Sequence, residues 1–272
     1  MSQKKILYIS QEIYPYLEES TIANTSRYLP QAIQEKGKEI RAFMPKYGNI
    51  NERRNQLHEV IRLSGMNLII DDTDHSLIIK VASIQSARMQ VYFIDNEDFF
   101  QNRETLVDKE GVEYDDNDER SIFFIRGVME TIKKLRWVPD VIHCHGWFSA
   151  LAPLFIKKGY ADDPCFKNAK VVYSVYDELF EKPFNQNTAE KLRFDGIGDP
   201  EIEKIKSRGI MDYNNLMKLA IDYSDGIIQG SENIDPAVSE YIRESKAGFL
   251  PFSADFEKNV SEIDAFYEKI DA

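Results

Sequence analysis

The chain has only two cysteines, Cys144 and Cys165. They stand in unrelated contexts without CxxC or Cys/His spacing, so neither a disulfide framework nor a zinc site organises the fold. Concentrated positive charge is also missing. Arg53-Arg54 and Lys157-Lys158 are isolated pairs in a chain of formal net charge -12, which repels phosphate backbones and anionic lipid. No nucleic-acid partner and no membrane partner is expected. Long apolar runs are absent: the opening MSQKKILYIS meets Gln11 too soon for a signal peptide or a spanning helix. A cytoplasmic location is the resulting expectation. With no internal repeat, low-complexity tract or flexible linker, residues 1–272 are read as one domain.

The 43% hydrophobic content can fill a substantial core. Strand-like apolar runs at 5–10, 39–44, 141–145, 170–176 and 226–231 alternate with helix-like stretches at 25–36, 118–135 and 148–158. That alternation predicts an α/β fold with a doubly wound, mostly parallel sheet covered on both faces. Residues 57–95 break the pattern with short strands and polar turns, read as a small β meander inserted at the sheet edge. Apolar positions Phe256, Val260, Ile263, Phe266 and Tyr267 recur at helical spacing, so 255–270 is read as a terminal amphipathic helix docking on the sheet. The polar segment 177–210 is long enough to be a functional or mobile loop.

Three segments could carry chemistry. In doubly wound folds ligands sit at the carboxyl ends of the strands, where the first loop reads SQEIYPYLEEST. A phosphate there needs glycines for close backbone approach and a cation. Glu18 and Glu19 occupy the approach, followed by Ser20 and Thr21, so a nucleotide cradle is disfavoured; Ser20 or Thr21 capping the next helix is the plainer reading. In DVIHCHGW, strand alternation puts His143 and His145 on one face, and Trp147 could offer a flat apolar surface to a pyranose ring. Buried rings hydrogen-bonded to their surroundings are an equally good account, and neither His58 nor His75 is placed to complete a metal site, so no metal is expected. In KVVYSVYDE, the strand delivers Tyr176, Asp177 and Glu178 to the same edge. Carboxylates converging there would suit acid/base work only at a defined separation, and a turn capped by Asp177 is the simpler reading.

These segments, taken in order, resemble the N-terminal domain of the glycogen and starch synthases. The resemblance runs through KKILYISQEIYPY, LPQAIQEKGKEIRAFMPKYG, YFIDNEDFFQNR, YDDNDERSIFFIRGVME, PDVIHCHGWFSALAPLFIK, KVVYSVYDE and LMKLAIDYSDGIIQGSE, from about Lys4 to Tyr241. It implies a Rossmann-like half of a retaining glucosyltransferase that uses ADP-glucose and an α-1,4-glucan. The chain ends where that family's second, nucleotide-binding domain would begin, so a domain lacking that half is expected. The family's donor-loop pattern K-T-G-G-L falls on Glu18, Glu19, Ser20, Thr21 and Ile22. Its H-x-H-D-W-H falls on His143, Cys144, His145, Gly146, Trp147 and Phe148. Its active-site His-Asn pair falls on Tyr176 and Asp177, while the first-loop glutamate is kept as Glu12.

The resemblance therefore implies catalytic positions Tyr176 and Asp177, expected to be inactive. It implies a substrate-facing wall of Glu12, His143, His145 and Trp147. It also implies donor-loop positions Glu18, Ser20 and Thr21 that do not bind a nucleotide. No cofactor is expected. The expected function is a glucosyltransferase domain impaired on its own, with an α-glucan or maltooligosaccharide as ligand and a separate nucleotide-binding protein as the partner that would complete it. The alternative is a non-catalytic α-glucan-binding or interaction domain.

Overall fold

The computed structural model describes residues 3–194 and 196–272. Its strands are β1 (Lys5–Ser10), β2 (Glu39–Pro45), β3 (His58–Glu59), β4 (Met66–Ile70), β5 (Thr73–Ile84), β6 (Met89–Asp95), β7 (Val141–His145), β8 (Lys170–Val175), β9 (Gly226–Gln229) and β10 (Gly248–Leu250). Its α-helices are α1 (Thr21–Glu35), α2 (Asn117–Leu135), α3 (Ala152–Leu154), α4 (Thr188–Lys191), α5 (Asp199–Lys206), α6 (Tyr213–Asp222), α7 (Pro236–Glu244) and α8 (Phe256–Asp271).

The strand order is β10-β9-β8-β7-β1-β2-β6-β5-β3, with β4 pairing beside β5. From β10 to β6 every pairing is parallel. Strand β1 lies at the centre, with Ile6, Leu7 and Ile9 fully buried, each contributing roughly 1.5–3 kcal/mol of hydrophobic stabilisation. The sheet is α/β and doubly wound, as the alternation predicts.

The edge insertion is smaller than the reading of 57–95. Strand β6 pairs in parallel with β2 from Ala42↔Val91 to Pro45↔Ile94, so it belongs to the main sheet. Its Val91, Phe93 and Ile94 have no exposed surface, which is the signature of an inner strand. Only β3, β4 and β5 form the antiparallel meander.

Helix boundaries follow local chemistry. Helix α1 begins at Thr21 because the Ser20 hydroxyl accepts the Ala23 N–H at 2.9 Å, four residues earlier than the periodicity places it. The helix expected at 148–158 is broken into a 3-10 turn at Trp147–Ser149, α3, and a π turn at Phe155–Gly159. Pro153 has no N–H to continue a preceding turn, so it starts a new one.

The segment 177–210 is not one long loop. It carries α4 and α5, and Lys191 anchors it to buried Asp118 at 2.9 Å and to Glu119 at 2.6 Å. Helix α8 docks on the sheet over Val260, Ile263, Phe266 and Tyr267. Phe266 lies over Gly226 and Gly248; a Cβ at Gly226 would come within 2.7 Å of its ring, so the small residues of β9 and β10 make room for the helix. Lys4 and Lys38 hold its outer edge through Glu268, Asp271 and Asp264. Among the described residues no helix is long and apolar enough to cross a membrane.

Candidate functional site

The chain leaves β1 toward β2 on one side, while β7, β1's other neighbour, leads on to β8 in the opposite direction. The loops after β1 and β7 therefore diverge and leave a crevice at the carboxyl edge of the sheet. Gln11, the first residue past β1, spans it. Its Oε1 accepts the Phe148 N–H at 3.1 Å, and its Nε2 donates to Glu178 Oε2 at 2.7 Å and Glu12 Oε1 at 3.1 Å. One amide thus ties together the loops after β1, β7 and β8.

Gly146 makes this possible. Its φ is +81°, and a Cβ there would overlap the Gln11 amide. The space in which a side chain at 146 would project is filled by Gln11.

Beside this junction lies an open cleft of about 720 Å³. Its floor includes Gln11, Glu12, Glu178 and Tyr47, and its rim includes Glu18, Glu19 and Ser20. Asn49, Asn51, Asn55 and Thr105 add neutral polar groups, and among the described lining residues Arg54 is the one cation. Tyr47 is fully buried from bulk solvent and its hydroxyl has no hydrogen-bond partner among the described residues.

Burial pushes the Glu178 carboxyl up to about 8; the nearby Glu12 charge and then Asp177 add to the rise, and the Gln11 hydrogen bond opposes it. A carboxyl in that state is protonated for much of the time at neutral pH.

At the entrance, Ser20 caps α1 and donates through its hydroxyl to Glu12 Oε2 at 2.7 Å. The helix start that would attract an anion is thus occupied by the chain's own serine and carboxylate. Glu18 and Glu19 are exposed on the rim, and Thr21 is the exposed first residue of α1.

The remaining sequence-derived residues lie elsewhere. His143 and His145 do share one face of β7, with ring centroids 3.9 Å apart, and both have no exposed surface. His143 Nδ1 is 2.6 Å from the Tyr267 hydroxyl and its Nε2 is 2.7 Å from Ser174 Oγ. Helix α8 supplies that tyrosine, so a wall expected to meet a sugar is covered from within the chain. His145 Nδ1 is 2.7 Å from the Tyr176 hydroxyl, and its Nε2 has no partner among the described residues. Burial holds both imidazoles neutral: His143 titrates well below the usual range and His145 falls to about 3.

Trp147 is 4% exposed, with its ring 4.7 Å from Phe180 and near Phe184 and Phe148, so it offers no face to a ligand. Tyr176 is likewise buried. Asp177 is exposed, accepts the Ser231 hydroxyl at 2.8 Å and donates its own N–H to that oxygen at 3.2 Å, so it joins the loops after β8 and β9 instead of capping a local turn. Of the residues singled out from sequence, the structure brings together Glu12, Glu18, Glu19, Ser20 and Glu178. Gln11 and Tyr47 were missed. Tyr47 follows β2, and the rule that ligands meet strand carboxyl ends applies to that loop as well as to the first.

A family model described as the starch synthase catalytic domain matches residues 5–245. The glycogen synthase of Chlorobium limicola is 40% identical over 174 residues, covering 64% of this chain and 36% of that protein. That of Chlorobaculum parvum is 36% identical over 223 residues, covering 81% of this chain and 44% of that protein. The catalytic domain of starch synthase IV from Arabidopsis thaliana, bound to ADP and acarbose, superposes with a TM-score of 0.67 at 18% identity, over 98% of this chain and 50% of that one. That likeness concerns the fold. The chain spans less than half the length of these two curated relatives. The ordered segments, the doubly wound sheet and the match over residues 5–245 lead to one conclusion: this chain belongs to the starch synthase catalytic domain family.

Proposed function

We propose that this domain binds an α-glucan in the cleft beside Gln11 and, by itself, does not transfer glucose from ADP-glucose. The observation that carries this reading is the closed start of α1, where Ser20 caps the helix and Glu12 accepts its hydroxyl, with Glu18 and Glu19 on the rim. A diphosphate approaching that loop meets carboxylates instead of glycine N–H groups and a lysine. Burial of Tyr176 against His145 supports the same reading, since a phenol held inside the chain cannot take over the work of an active-site histidine. A neutral glucan suits the rest of the cleft: asparagine amides, a threonine, tyrosines and carboxylates match hydroxyls that both donate and accept.

His143, His145 and Trp147 enter as buried members of the core and not as sugar contacts. The expectation of a separate nucleotide-binding partner finds no support in the relatives and is not carried forward.

The reading is tested by incubating the full chain with ADP-glucose and maltohexaose while measuring ADP release, and by titrating maltohexaose calorimetrically. No ADP release together with binding that weakens in Glu12→Ala is the expected result. Steady turnover would overturn the non-catalytic part, and no heat at millimolar maltohexaose would overturn the glucan part.

A further inference from the structure

We propose that the corner of the cleft formed by Glu12, Glu178 and Tyr47 is a site for a protonated amine, so that the preferred ligand is a saccharide bearing an ammonium group. This rests on the reading of the cleft as a saccharide site and narrows its ligand class.

Two carboxylates meet at this corner, and the Gln11 amide, with one N–H to each, holds them together at 3.1 Å and 2.7 Å. An amide is neutral, so it fixes their geometry without offsetting their charge. The charges acting on Glu178 are those of Glu12 and Asp177, both negative, and the proton that Glu178 holds for much of the time at neutral pH is what an arriving ammonium displaces to solvent. Arg54 is the single cation among the described lining residues, against Glu12, Glu18, Glu19 and Glu178.

The second observation is Tyr47. Its side chain lines the same cleft, has no exposed surface, and its hydroxyl is without a partner among the described residues. After burial, the buried Arg120 guanidinium acts most strongly on that phenol, followed by Glu12 and Glu178, so the phenol lies between that cation and the two glutamates. A buried hydroxyl with no partner carries a desolvation cost that a ligand can remove.

An ammonium meets all three needs at once. It has three donors and no acceptor, which fits two carboxylates and a phenol oxygen. Charge-assisted hydrogen bonds are about twice as strong as neutral ones, so an amine gains more here than the hydroxyl it replaces. A carboxylate or phosphate on the sugar meets like charge on the rim and on the floor.

The test uses the full chain at neutral pH and low salt, titrated with three matched probes. These are maltotetraose, the same oligosaccharide with its C6 hydroxyls replaced by amines, and the same oligosaccharide oxidised to C6 carboxylates. The amine form is expected to bind at least about tenfold more tightly than the neutral form, which corresponds to roughly 1.4 kcal/mol. The carboxylate form is expected not to bind.

Glu178→Gln should abolish the preference, read as the ratio of amine to neutral affinity within the variant, and Tyr47→Phe should reduce it. The rim variant Glu18→Gln/Glu19→Gln, which alters only exposed side chains, should keep it. Equal binding of amine and neutral forms overturns the inference and leaves the saccharide reading standing. A preference that survives Glu178→Gln and disappears in the rim variant overturns the assignment to this corner. Failure of all three probes to bind overturns both readings.

Discussion

The hydroxyl of Tyr267, on the last helix, lies 2.6 Å from Nδ1 of His143, in the middle of the sheet. The two are 124 residues apart, and the same hydroxyl is 3.2 Å from that of Tyr8 on β1. Helix α8 is therefore joined to β1 and β7 by a buried polar chain as well as by Phe266 and its apolar neighbours. Such a chain is favourable only when each member is satisfied.

Tyr267→Phe keeps the ring and removes the hydroxyl, leaving the Tyr8 hydroxyl and His143 Nδ1 short of a partner inside the protein. A loss of about 1–3 kcal/mol is expected from urea unfolding. An unchanged midpoint would mean that α8 is held by its apolar face and its lysine bridges alone.

Glu178 makes stability fall as pH rises. Its folded value is raised to about 8 from the ordinary 4.5, so between those limits the folded state holds a proton that the unfolded state has released. The contribution is greatest below pH 4.5 and is lost progressively as pH approaches 8. Glu178→Gln should remove this slope and gain on the order of 2 kcal/mol at pH 8.5, with screening by the open side of the cleft included. Parallel pH–stability curves for the two proteins would contradict the burial argument.

On the acid side the sign reverses. His145 is a base whose folded value drops to about 3 because it is buried, so below pH 6.5 the unfolded state takes up a proton that the folded state refuses. Stability is lost as pH falls from 6.5 toward 3. His145→Gln, compared by denaturant unfolding at pH 4 and 6, should lose less stability on acidification, by up to about 1.4 kcal/mol per pH unit. An identical acid dependence would show that other groups control it.

Gly146 and Gly37 provide a matched pair. Both have positive φ, +81° and +92°, but a Cβ at Gly37 meets nothing within 4 Å while one at Gly146 runs into Gln11. Gly37→Ala should cost only the backbone term, about 1–2 kcal/mol. Gly146→Ala should cost a further 1–3 kcal/mol or so, as overpacking does, and should also weaken glucan binding by displacing the amide that joins the three loops. Equal losses for the two variants would remove Gln11 from the account.

Much of the fold was legible because its rules are local. A run such as KILYIS, with four consecutive apolar residues from Ile6 to Ile9, suits a strand covered on both faces, and α8 announces itself through Val260, Ile263, Phe266 and Tyr267. The Ser20 cap follows from side-chain chemistry three residues ahead of the N–H it accepts. Strand β6 was misplaced because a short strand looks the same to local reading whether its neighbour is antiparallel or parallel; β2 decides that, and β2 is distant in sequence.

What the sequence determined by itself was the alternation of elements, the shared face of His143 and His145, and the replacement of a lysine and two glycines by Glu18, Ser20 and Thr21 in the first loop. Only the tertiary structure decided which faces meet water. It set Tyr267 of α8 against His143 and Tyr176 against His145, packed Trp147 among phenylalanines, and drew Gln11, Glu12, Tyr47 and Glu178 to one cleft from three separate loops. The physical reason is that strand alternation fixes the side on which a residue lies, whereas burial depends on what the rest of the chain places on that side.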